Sequence, residues 1–478
     1  MDPHKVNAHE LTVAGTTFRA AATDPVTNPH TGEVIADIAL AGPDAVEAAI
    51  AAARAAFEEY RGWPTHRRVR LLADLASHVA RRRTELAASI VAEAGKPITQ
   101  AQGEVDRAIT TFQLAAEEAG RMGGEVIPAD LTAAGEGYLA LTRRFPVGPV
   151  TAISPFNFPL NLVAHKLAPA LATGCSMVLK PPVQTPLTPL LLGDLLQEAG
   201  APPGLFTVLP CSAENARPLI TDERMATLSF TGSDRVGWHL KSLAGKKRVT
   251  LELGGNAAAI ICPGVDIEAT ARRVAFGAYA YAGQICISVQ RILVQRGIQE
   301  EFLAALTRAT EAIVTGDPRD PRTVAGPLID RAAAERVAAW IRSAVDGGAR
   351  LLTGGEREGN IIRPALLTDA APELEICCQE VFGPVAVVEP FDTFPEAVAT
   401  VNRSRYGLQA GVFTRDLGEA LYAHRHLEVG GVIVGDIPTV RFDHLPYGGG
   451  KDSGQGREGV RYAMDEFTEP RLLLIKTG

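Results

Sequence analysis

Short apolar runs of strand-like composition alternate with helical stretches through the middle of this chain. The first series of strand candidates comprises 150–153, 177–179, 206–209 and 226–230. Helical stretches such as 186–199 and 233–243 lie between them. Because strands joined by helices pair in parallel, this rhythm predicts a parallel sheet covered by helices.

A second series of the same kind runs from about residue 266 to residue 434. Its strand candidates are 291–295, 385–388 and 431–434, and its helical stretches are 298–312, 330–346 and 416–428. Before both series, apolar residues at helical spacing in the Ala-rich segment 44–121 predict two or three long helices. One core rarely serves 478 residues, so the two series predict two α/β domains.

Two isolated strand candidates, 138–145 and 471–476, have no hairpin partner nearby in the sequence. Paired with each other, they are expected to form a small projecting sheet that meets a neighbouring subunit.

Composition excludes several classes of protein. The net charge is −8 and the basic residues are dispersed, so the chain lacks the electrostatic footprint of a nucleic-acid-binding protein. It has no apolar stretch of about 18 residues and no signal-peptide pattern, which indicates a cytoplasmic protein that does not bind membranes. The six cysteines show no paired CxxC spacing, so neither a disulfide framework nor a metal site is expected.

Cys286, in the segment GQICIS, is the candidate nucleophile. Alone, a cysteine beside isoleucine is more often an inert core thiol, because a nucleophile needs a base and oxyanion donors. Glu252 in LELGGN can act as general base, and the Asn157 amide in SPFNFP can donate to an oxyanion. The competing interpretations are an ion pair of Glu252 with Lys246 or Lys247, and an Asx turn at Asn157.

These segments resemble motifs of the aldehyde dehydrogenase superfamily. The match covers nearly the whole chain. The motifs occur in the order SPFNFP, FTGS, LELGGN, GQICIS, EVFGP and PYGGGKDSG. Glu252 and Cys286 stand 34 positions apart, as they do in the family. The forms GQxCxS and PYGGxKDSG are similar to those of lactaldehyde, phosphonoaldehyde and non-phosphorylating glyceraldehyde-phosphate dehydrogenases.

The resemblance implies an α/β fold with two doubly wound parallel-sheet domains and a small projecting oligomerisation sheet. The implied segments are a cofactor-binding domain at 1–122 and 146–252, a catalytic domain at 253–435, and an oligomerisation sheet at 123–145 and 460–478. A homodimer or homotetramer is the implied assembly.

By resemblance, the chain catalyses NAD(P)-dependent oxidation of an aldehyde to a carboxylic acid. Cys286 attacks the aldehyde, and Asn157 with the Cys286 backbone amide stabilises the oxyanion. Hydride transfer to nicotinamide leaves a thioester, and Glu252 activates the water that hydrolyses it. The chemistry is sound because the thiol turns an aldehyde, a poor hydride donor, into an alkoxide that expels the hydride.

The cofactor site is not an ordinary Rossmann fingerprint, since no strand–GxGxxG–helix element is present. Gly232 and Ser233 open a helix instead, where free amides suit a pyrophosphate, although a plain Ser N-cap has the same sequence. Lys180 ends a strand and by resemblance contacts the adenosine ribose. The other cofactor-site residues that the resemblance implies are Ile153, Pro155, Leu253, Glu380 and Phe382.

Val183 bears on the choice between NAD and NADP. Many NAD-preferring relatives have a glutamate three residues after the strand-end lysine, and this chain has Val183 there. A carboxylate repels a 2′-phosphate, so its absence removes a barrier to NADP. Use of NADP, or of both cofactors, is therefore expected.

Arg107 is the main candidate for contact with the substrate. By resemblance it stands where phosphate- or phosphonate-using relatives anchor their substrate, and a guanidinium suits anionic oxygens. The alternative is a surface arginine paired with Glu104. Ile285 replaces an arginine of those relatives, which favours a small aldehyde such as lactaldehyde, a phosphonoaldehyde or a semialdehyde over a sugar phosphate. The further candidates for substrate contact are Phe158, Arg441 and His444.

Three other functions compete with this one. A coenzyme A-acylating dehydrogenase would pass the thioester to a thiol, and Glu252 weighs against it because that transfer needs no such base. A catalytically silent homologue is disfavoured by the joint presence of Cys286, Glu252 and Asn157. A cofactor-free cysteine hydrolase would want a histidine beside the thiol, and none of the ten histidines lies in a motif.

Overall fold

The computed structural model describes residues 10–477, which open with two β-hairpins and four helices. The hairpin strands are β1 (Glu10–Val13), β2 (Thr16–Arg19), β3 (Ala22–Thr27) and β4 (Val34–Leu40). The helices are α1 (Pro43–Tyr60), α2 (Thr65–Arg81), α3 (Arg83–Ala94) and α4 (Ile98–Arg121).

The segment 44–121 divides into four helices, and at two of the three breaks a proline or glycine interrupts the helix, whereas only Arg82 separates α2 from α3. Pro64 and Pro97 stand directly before α2 and α4 with extended ψ angles of 149° and 136°. Gly95 ends α3 at φ 62°, and a Cβ there would lie 2.7 Å from Pro327 Cγ. The prediction of two or three helices is therefore wrong in number.

The remaining elements follow the predicted alternation. After β5 (Val126–Pro128) and β6 (Tyr138–Pro146), the first series comprises β7 (Val150–Ile153), α5 (Asn161–Thr173), β8 (Met177–Lys180), α6 (Leu187–Glu198), β9 (Phe206–Val208), α7 (Arg217–Thr221), β10 (Thr227–Thr231), α8 (Asp234–Leu243) and β11 (Arg248–Glu252).

The second series begins with β12 (Ala258–Ile261), α9 (Ile267–Tyr279), β13 (Arg291–Gln295), α10 (Gln299–Glu311), α11 (Arg331–Asp346), β14 (Arg350–Thr353), β15 (Arg357–Glu358), β16 (Ile361–Ile362) and β17 (Ala365–Thr368). It ends with α12 (Glu375–Cys378), β18 (Val385–Phe391), α13 (Phe394–Asn402), β19 (Tyr406–Gly407), β20 (Gln409–Phe413), α14 (Leu417–His426) and β21 (Gly431–Val434). The last elements are β22 (Gly450–Lys451), β23 (Gly454–Gln455), α15 (Val460–Glu466) and β24 (Thr468–Lys476).

The two series form two separate, mostly parallel sheets. The first has the order β23-β11-β10-β7-β8-β9, and only β23 runs antiparallel to its neighbour. The second has the order β14-β17-β18-β13-β12-β20-β21, and only β14 is antiparallel.

Helices cover both faces of each sheet. In β8, Met177 and Leu179 pack with α2, α4 and α5, whereas Val178 packs with α1 on the other face. In β13, Ile292 packs with α9 and α10, whereas Leu293 packs with α13 and α14. Strands that are buried on both faces are continuously apolar, which is why they were readable in the sequence. The prediction of an α/β fold with doubly wound parallel sheets is confirmed.

A three-stranded antiparallel sheet, in the order β24-β6-β5, stands apart from the other two. Thr468 pairs with Pro146 and Lys476 with Tyr138, so the two isolated strand candidates do pair with each other. The residues of α15 are helical instead, with Val460 and Met464 in the core beside α5, so the prediction of sheet from 460 is wrong for them. The domain bounds stay a prediction, and their residues 1–9 and 478 lie outside the described part.

No helix among the described residues is long and apolar enough to cross a membrane.

Candidate active site

Four parallel strands of the first sheet end at one edge. The pairing register places Ile153 beside both Lys180 and Phe230, and Thr231 beside Glu252. Open α/β sheets bind their ligands at the carboxyl ends of the strands. Three of the predicted site residues, Ile153, Lys180 and Glu252, therefore lie at the carboxyl ends of these strands, where a ligand is expected.

The segment that carries Cys286 has an unusual backbone. Tyr281, Ala282 and Gly283 are successively left-handed, with φ of 52°, 53° and 71°. A Cβ at Gly283 would lie 2.1 Å from the carbonyl oxygen of Gly383, so only glycine fits. Left-handed backbone at non-glycine residues costs free energy and is concentrated at functional sites. This turn directs the chain from α9 toward the edge of the first sheet.

The side chain of Gln284 fixes that turn in place. It is fully buried and donates to the carbonyls of Tyr281 and Pro327 at 3.3 and 3.2 Å. Its own oxygen accepts from the Ile329 amide at 2.9 Å. The sequence motif contains this glutamine, but its anchoring role was not predicted.

Cys286 is half-buried, and its sulfur lies 2.9 Å from the hydroxyl of Tyr447. Burial raises the pKa of the Cys286 thiol to about 11, although the hydrogen bond with Tyr447 and the charge of Arg441 oppose that rise. The resting side chain is consequently a thiol at neutral pH. A nucleophilic role requires nearby groups that favour the thiolate.

The structure brings Asn157 to the nucleophile segment. Its side chain is 3% exposed, and its Nδ2 donates to the Gln284 carbonyl at 2.8 Å. An amide nitrogen carries two hydrogens, so one donor remains for another acceptor. The side chain of Asn157 therefore does not form an Asx turn. It binds Gln284, which lies two positions before Cys286.

Glu252, the last residue of β11, carries a buried carboxyl. It is 3% exposed, and neither of its oxygens makes a hydrogen bond among the described residues. Burial, followed by the nearby charge of Glu458, raises the pKa of Glu252 well above its ordinary value. A Cβ at Gly448 would lie 2.8 Å from Glu252 Oε1, so this glycine, next to Tyr447, lets the carboxyl approach.

The alternative ion pair of Glu252 with a lysine is not what the structure shows. Lys247 donates to the carbonyl of Ile220 instead. Glu252 therefore keeps the isolation that a general base with a raised pKa requires.

A buried ionic cluster surrounds Glu458, which sequence reasoning did not single out. Its two oxygens lie 3.1 Å from Lys166 Nζ and 2.9 Å from Arg441 Nη2. Burial alone would raise the pKa of Glu458, but Lys166 and Arg441 outweigh it and lower the pKa to about 2. Arg441 also lies over the ring of Tyr447, with Cζ 3.7 Å from the ring centroid.

Arg107 belongs to a second cluster, centred on Asp443. Its guanidinium binds both oxygens of Asp443, at 2.6 and 3.1 Å, and His165 Nε2 lies 2.7 Å from the same carboxylate. Glu104 is taken by Lys96 and by the backbone amides of Leu160 and Asn161. The alternative pairing of Arg107 with Glu104 is therefore wrong.

The sequence of helix α5 indicates that its polar side chains belong to buried clusters. All thirteen of its residues are buried, yet Asn161, His165 and Lys166 are polar. Asn161 and His165 are four residues apart, so they lie on one helix face and both reach Asp443, at 3.4 and 2.7 Å. Polar residues on a wholly buried helix indicate an internal site.

The predicted pyrophosphate position lies at the start of α8. Ser233 is the N-cap residue, and its side chain makes no capping hydrogen bond to the helix. A Cβ at Gly232 would lie 2.6 Å from Phe230 Cζ, so a larger residue there would displace the buried Phe230 ring. The first-turn amides are consequently available to an anionic ligand.

Lys180 and its neighbours complete this end of the predicted cofactor site. Lys180 Nζ lies 3.3 Å from the Pro181 carbonyl, and burial lowers its pKa. Ile153 and Pro155 follow one another around the end of β7 and are both half-buried. Leu253 is buried directly after Glu252.

Glu380 and Phe382 lie near the nucleophile segment. Glu380 Oε1 accepts from the Gly255 amide at 3.0 Å, and burial raises the pKa of Glu380 to about 7. Phe382 is left-handed at φ 49°, and its ring meets Phe156 edge-on at 5.7 Å between centroids. A Cβ at Gly254 would lie 2.1 Å from Glu380 Oε2, so the double glycine makes room for this carboxyl.

The remaining substrate candidates are less closely grouped. The ring of Phe158 lies under both Arg107 Cζ and Lys96 Nζ, at 5.9 and 3.5 Å from its centroid. His444 is exposed and stacks loosely on Phe442 at 6.3 Å, whereas its neighbour Asp443 points inward. Its place at the substrate mouth stays a prediction. Among the described residues, no group of three or more His, Cys, Asp or Glu side chains is arranged to hold a metal ion.

Comparison with known proteins gives matches over nearly the whole chain. The model of the aldehyde dehydrogenase family matches residues 18–473. A 3-sulfolactaldehyde dehydrogenase of Priestia aryabhattai is 42% identical over 472 residues, which are 98% of each protein. The crystal structure of aldehyde dehydrogenase 21 from Physcomitrella patens, in complex with the reaction product succinate, matches with a TM-score of 0.95 and 42% identity over 98% of both chains.

A further solved structure shares the fold. It is a glyceraldehyde-3-phosphate dehydrogenase of Methanocaldococcus jannaschii complexed with NADP, with a TM-score of 0.92 and 36% identity over 95% of this chain and 100% of that one. Since the motifs predicted this kinship and both sequence and fold match over nearly the whole chain, the chain belongs to the aldehyde dehydrogenase family.

Proposed function

We propose that this protein oxidises a small aldehyde that carries an anionic group to the corresponding acid, with NAD or NADP as the electron acceptor. The environment of Arg441 is the main support for an anionic group on the substrate. Its guanidinium is buried beside Tyr447, the residue in contact with the Cys286 sulfur, and its Nε has no hydrogen-bond partner within residues 10–477. A buried donor without a partner is costly, and a substrate anion would satisfy it.

The charges around Arg441 support the same proposal. Three cations of the two buried clusters, Arg107, Lys166 and Arg441, face two ionised carboxylates, Asp443 and Glu458. With Glu252 protonated, one positive charge stays uncompensated, and an anionic substrate would neutralise it. The related Priestia enzyme is named for a sulfonated aldehyde, and the Physcomitrella structure holds succinate.

The chain's own residues provide the steps of the reaction. The Cys286 thiolate adds to the carbonyl carbon, and the alkoxide that forms accepts from the free Asn157 N–H and the Cys286 backbone amide. A nicotinamide cofactor, when bound, supplies the acceptor for the hydride that leaves this carbon. Glu252 then takes a proton from water as that water adds to the thioester, and the acid leaves as the thiolate is restored.

Lys180, the first turn of α8 and Glu380 would hold the cofactor. The free amides after Ser233 suit its pyrophosphate, and Glu380, fixed at one oxygen by the Gly255 amide, can accept from ribose hydroxyls with the other. Val183 is 36% exposed and carries no charge that would repel a 2′-phosphate. We therefore expect kcat/KM with NADP to equal or exceed that with NAD, and a strong preference for NAD would contradict this expectation.

The function is tested by comparing succinate semialdehyde with butanal, which has the same carbon chain but no charge. Formation of reduced nicotinamide and of the free acid is measured without and with coenzyme A. We expect kcat/KM to be at least about tenfold higher for the anionic aldehyde, because a charge-assisted hydrogen bond contributes about 1.5–3 kcal/mol. The Cys286→Ala variant should be inactive.

Each alternative predicts a different result. Dependence of turnover on coenzyme A would identify an acylating enzyme. Equal rates for the two aldehydes would contradict the anionic substrate, and no reaction with any aldehyde in a panel would contradict the function itself.

A further inference from the structure

The contact between Tyr447 and Cys286 has no part in the reaction steps above. Tyr447 Oη lies 2.9 Å from Cys286 Sγ, although the two residues are 161 positions apart. The Tyr447 side chain is 4% exposed, so water does not compete for this contact. A phenol oxygen at this distance forms a hydrogen bond with the sulfur.

The ring of Tyr447 is held from two sides. Its backbone exchanges two hydrogen bonds with Glu458, at 3.0 and 2.7 Å. The Glu458 carboxylate binds Arg441, whose guanidinium lies 3.7 Å from the Tyr447 ring centroid. Lys166 anchors the other oxygen of Glu458 at 3.1 Å. The hydroxyl is thus fixed at the sulfur by a buried framework, which is the preorganisation that catalytic hydrogen bonds need.

We propose that Tyr447 is a catalytic residue whose hydroxyl donates to the Cys286 sulfur and stabilises the thiolate over the thiol. The inference rests on the proposed role of Cys286 as the nucleophile. The tyrosine keeps its own proton, and the proton of the thiol leaves to solvent. Asn157 and the Cys286 backbone amide then donate to the substrate oxygen, while Tyr447 donates to the sulfur.

The surrounding charges agree with this direction of donation. Burial raises the pKa of Tyr447 well above its ordinary value, so the phenol stays neutral and can donate. The Arg441 cation over the ring draws electron density from it, which strengthens the donor. Arg441 also favours the thiolate directly, whereas Glu380 and Glu252 oppose it when they are ionised.

The test measures alkylation of Cys286 by iodoacetamide as a function of pH, in protein without aldehyde or cofactor. The modified Cys286 peptide is quantified by mass spectrometry, because Cys378 is also partly exposed. In Tyr447→Phe, which removes only the hydroxyl, we expect the apparent pKa of alkylation to rise by about one unit or more. At a pH below the apparent pKa values of both proteins, this shift makes the alkylation of Cys286 at least about tenfold slower.

Tyr279→Phe is the matched control. Tyr279 is also buried and donates to the Ala365 carbonyl, at 3.2 Å, so its variant loses a buried hydroxyl without touching the sulfur. The control is expected to keep the alkylation profile of the unmodified protein. An unchanged profile in Tyr447→Phe would overturn the proposal, as would an equal shift in both variants.

A second measurement applies even if Tyr447→Phe does not fold. Replacing all eight tyrosines by 3-fluorotyrosine strengthens the phenol as a donor and is expected to lower the apparent pKa of Cys286. An unchanged or raised pKa would contradict the proposal. Because alkylation needs no substrate, a protein that oxidises no aldehyde but shows these shifts would refute the proposed function and not the role of Tyr447.

Discussion

At the scale of single residues, burial rather than a partner determines the protonation of Glu252. Its pKa is raised, so the carboxyl is neutral at low pH and becomes a base only as the pH rises through that raised value. The hydrolysis step is therefore expected to accelerate with pH. Glu252→Gln should still form about one equivalent of reduced nicotinamide per site and then turn over at least about 100-fold more slowly, with no rise with pH.

Rapid-mixing measurement of reduced nicotinamide, followed by the steady state across pH, checks this expectation. Glu117→Gln, at an exposed position of α4, serves as the control and should behave as the unmodified protein. Normal steady-state turnover in Glu252→Gln would show that another group activates the water.

Arg107 is expected to contribute to the binding of an anionic aldehyde from its position beside Phe158. Arg107→Ala should raise KM for succinate semialdehyde about tenfold or more, and leave KM for butanal nearly unchanged. Arg83→Ala is the matched control, because Arg83 makes a similar bidentate pair with Asp106 at the surface. An unchanged KM for the anionic aldehyde would show that Arg107 only holds Asp443.

Motif residues were predictable from the sequence, whereas their buried partners were not. Cys286, Glu252 and Asn157 each stand in a recognisable segment, and the structure brings them to one edge of the sheet. Tyr447 reaches Cys286 from 161 residues away, and Glu458 reaches Lys166 from 292. Such contacts depend on how distant segments of the chain pack together, which no local pattern encodes.

At the scale of elements, Glu93 links α3 to the start of α6. Its two oxygens accept from the amides of Leu187 and Thr188 at 2.7 and 2.9 Å, and it is fully buried. These amides are the free donors of a helix terminus. Glu93→Ala would leave them buried without acceptors, so we expect a loss of about 1–3 kcal/mol in stability.

Urea denaturation followed by circular dichroism measures that loss. Glu59→Ala, on α1, is a control with an exposed side chain and should shift the midpoint little. If Glu93→Ala unfolds at the midpoint of the unmodified protein, water satisfies the two amides and the cap does not stabilise α6.

Burial on two faces explains which elements the sequence revealed. Central strands such as β8 and β13 are continuously apolar and were predicted to within a residue or two. The hairpin strands β1 to β4 are short, and none of them is a continuous apolar run, so they were missed. The helices α1 to α4 were recognised as helical, but the separating role of Pro64 and Pro97 was not.

At the scale of the whole molecule, the site needs both sheets. Glu252 ends β11 and Asn157 follows β7 of the first sheet, whereas Cys286 lies between α9 and β13 of the second. The small sheet contributes nothing to this site among the described residues, so its exposed surface calls for another explanation.

That surface is strongly apolar. Leu472, Leu473, Leu474 and Ile475 of β24 are 64%, 51%, 51% and 42% exposed, and Val126 of β5 is 75% exposed. Contiguous exposed apolar side chains of this kind mark contacts with other protein chains. The sequence prediction of a homodimer or homotetramer has its physical basis here.

Two charges placed on one face of β24 should therefore separate the subunits. Side chains two apart lie on the same face of a strand, so Leu472→Glu combined with Leu474→Glu puts both carboxylates into one contact. Light scattering after size exclusion should give a dimer or tetramer for the unmodified protein and a smaller mass for the variant. Leu417→Glu with Leu421→Glu, at residues of α14 that are 72% and 56% exposed, should keep the original mass. Buried like charges at a subunit contact cost several kcal/mol. If the β24 variant keeps the original mass, this face of β24 therefore does not lie in the interface.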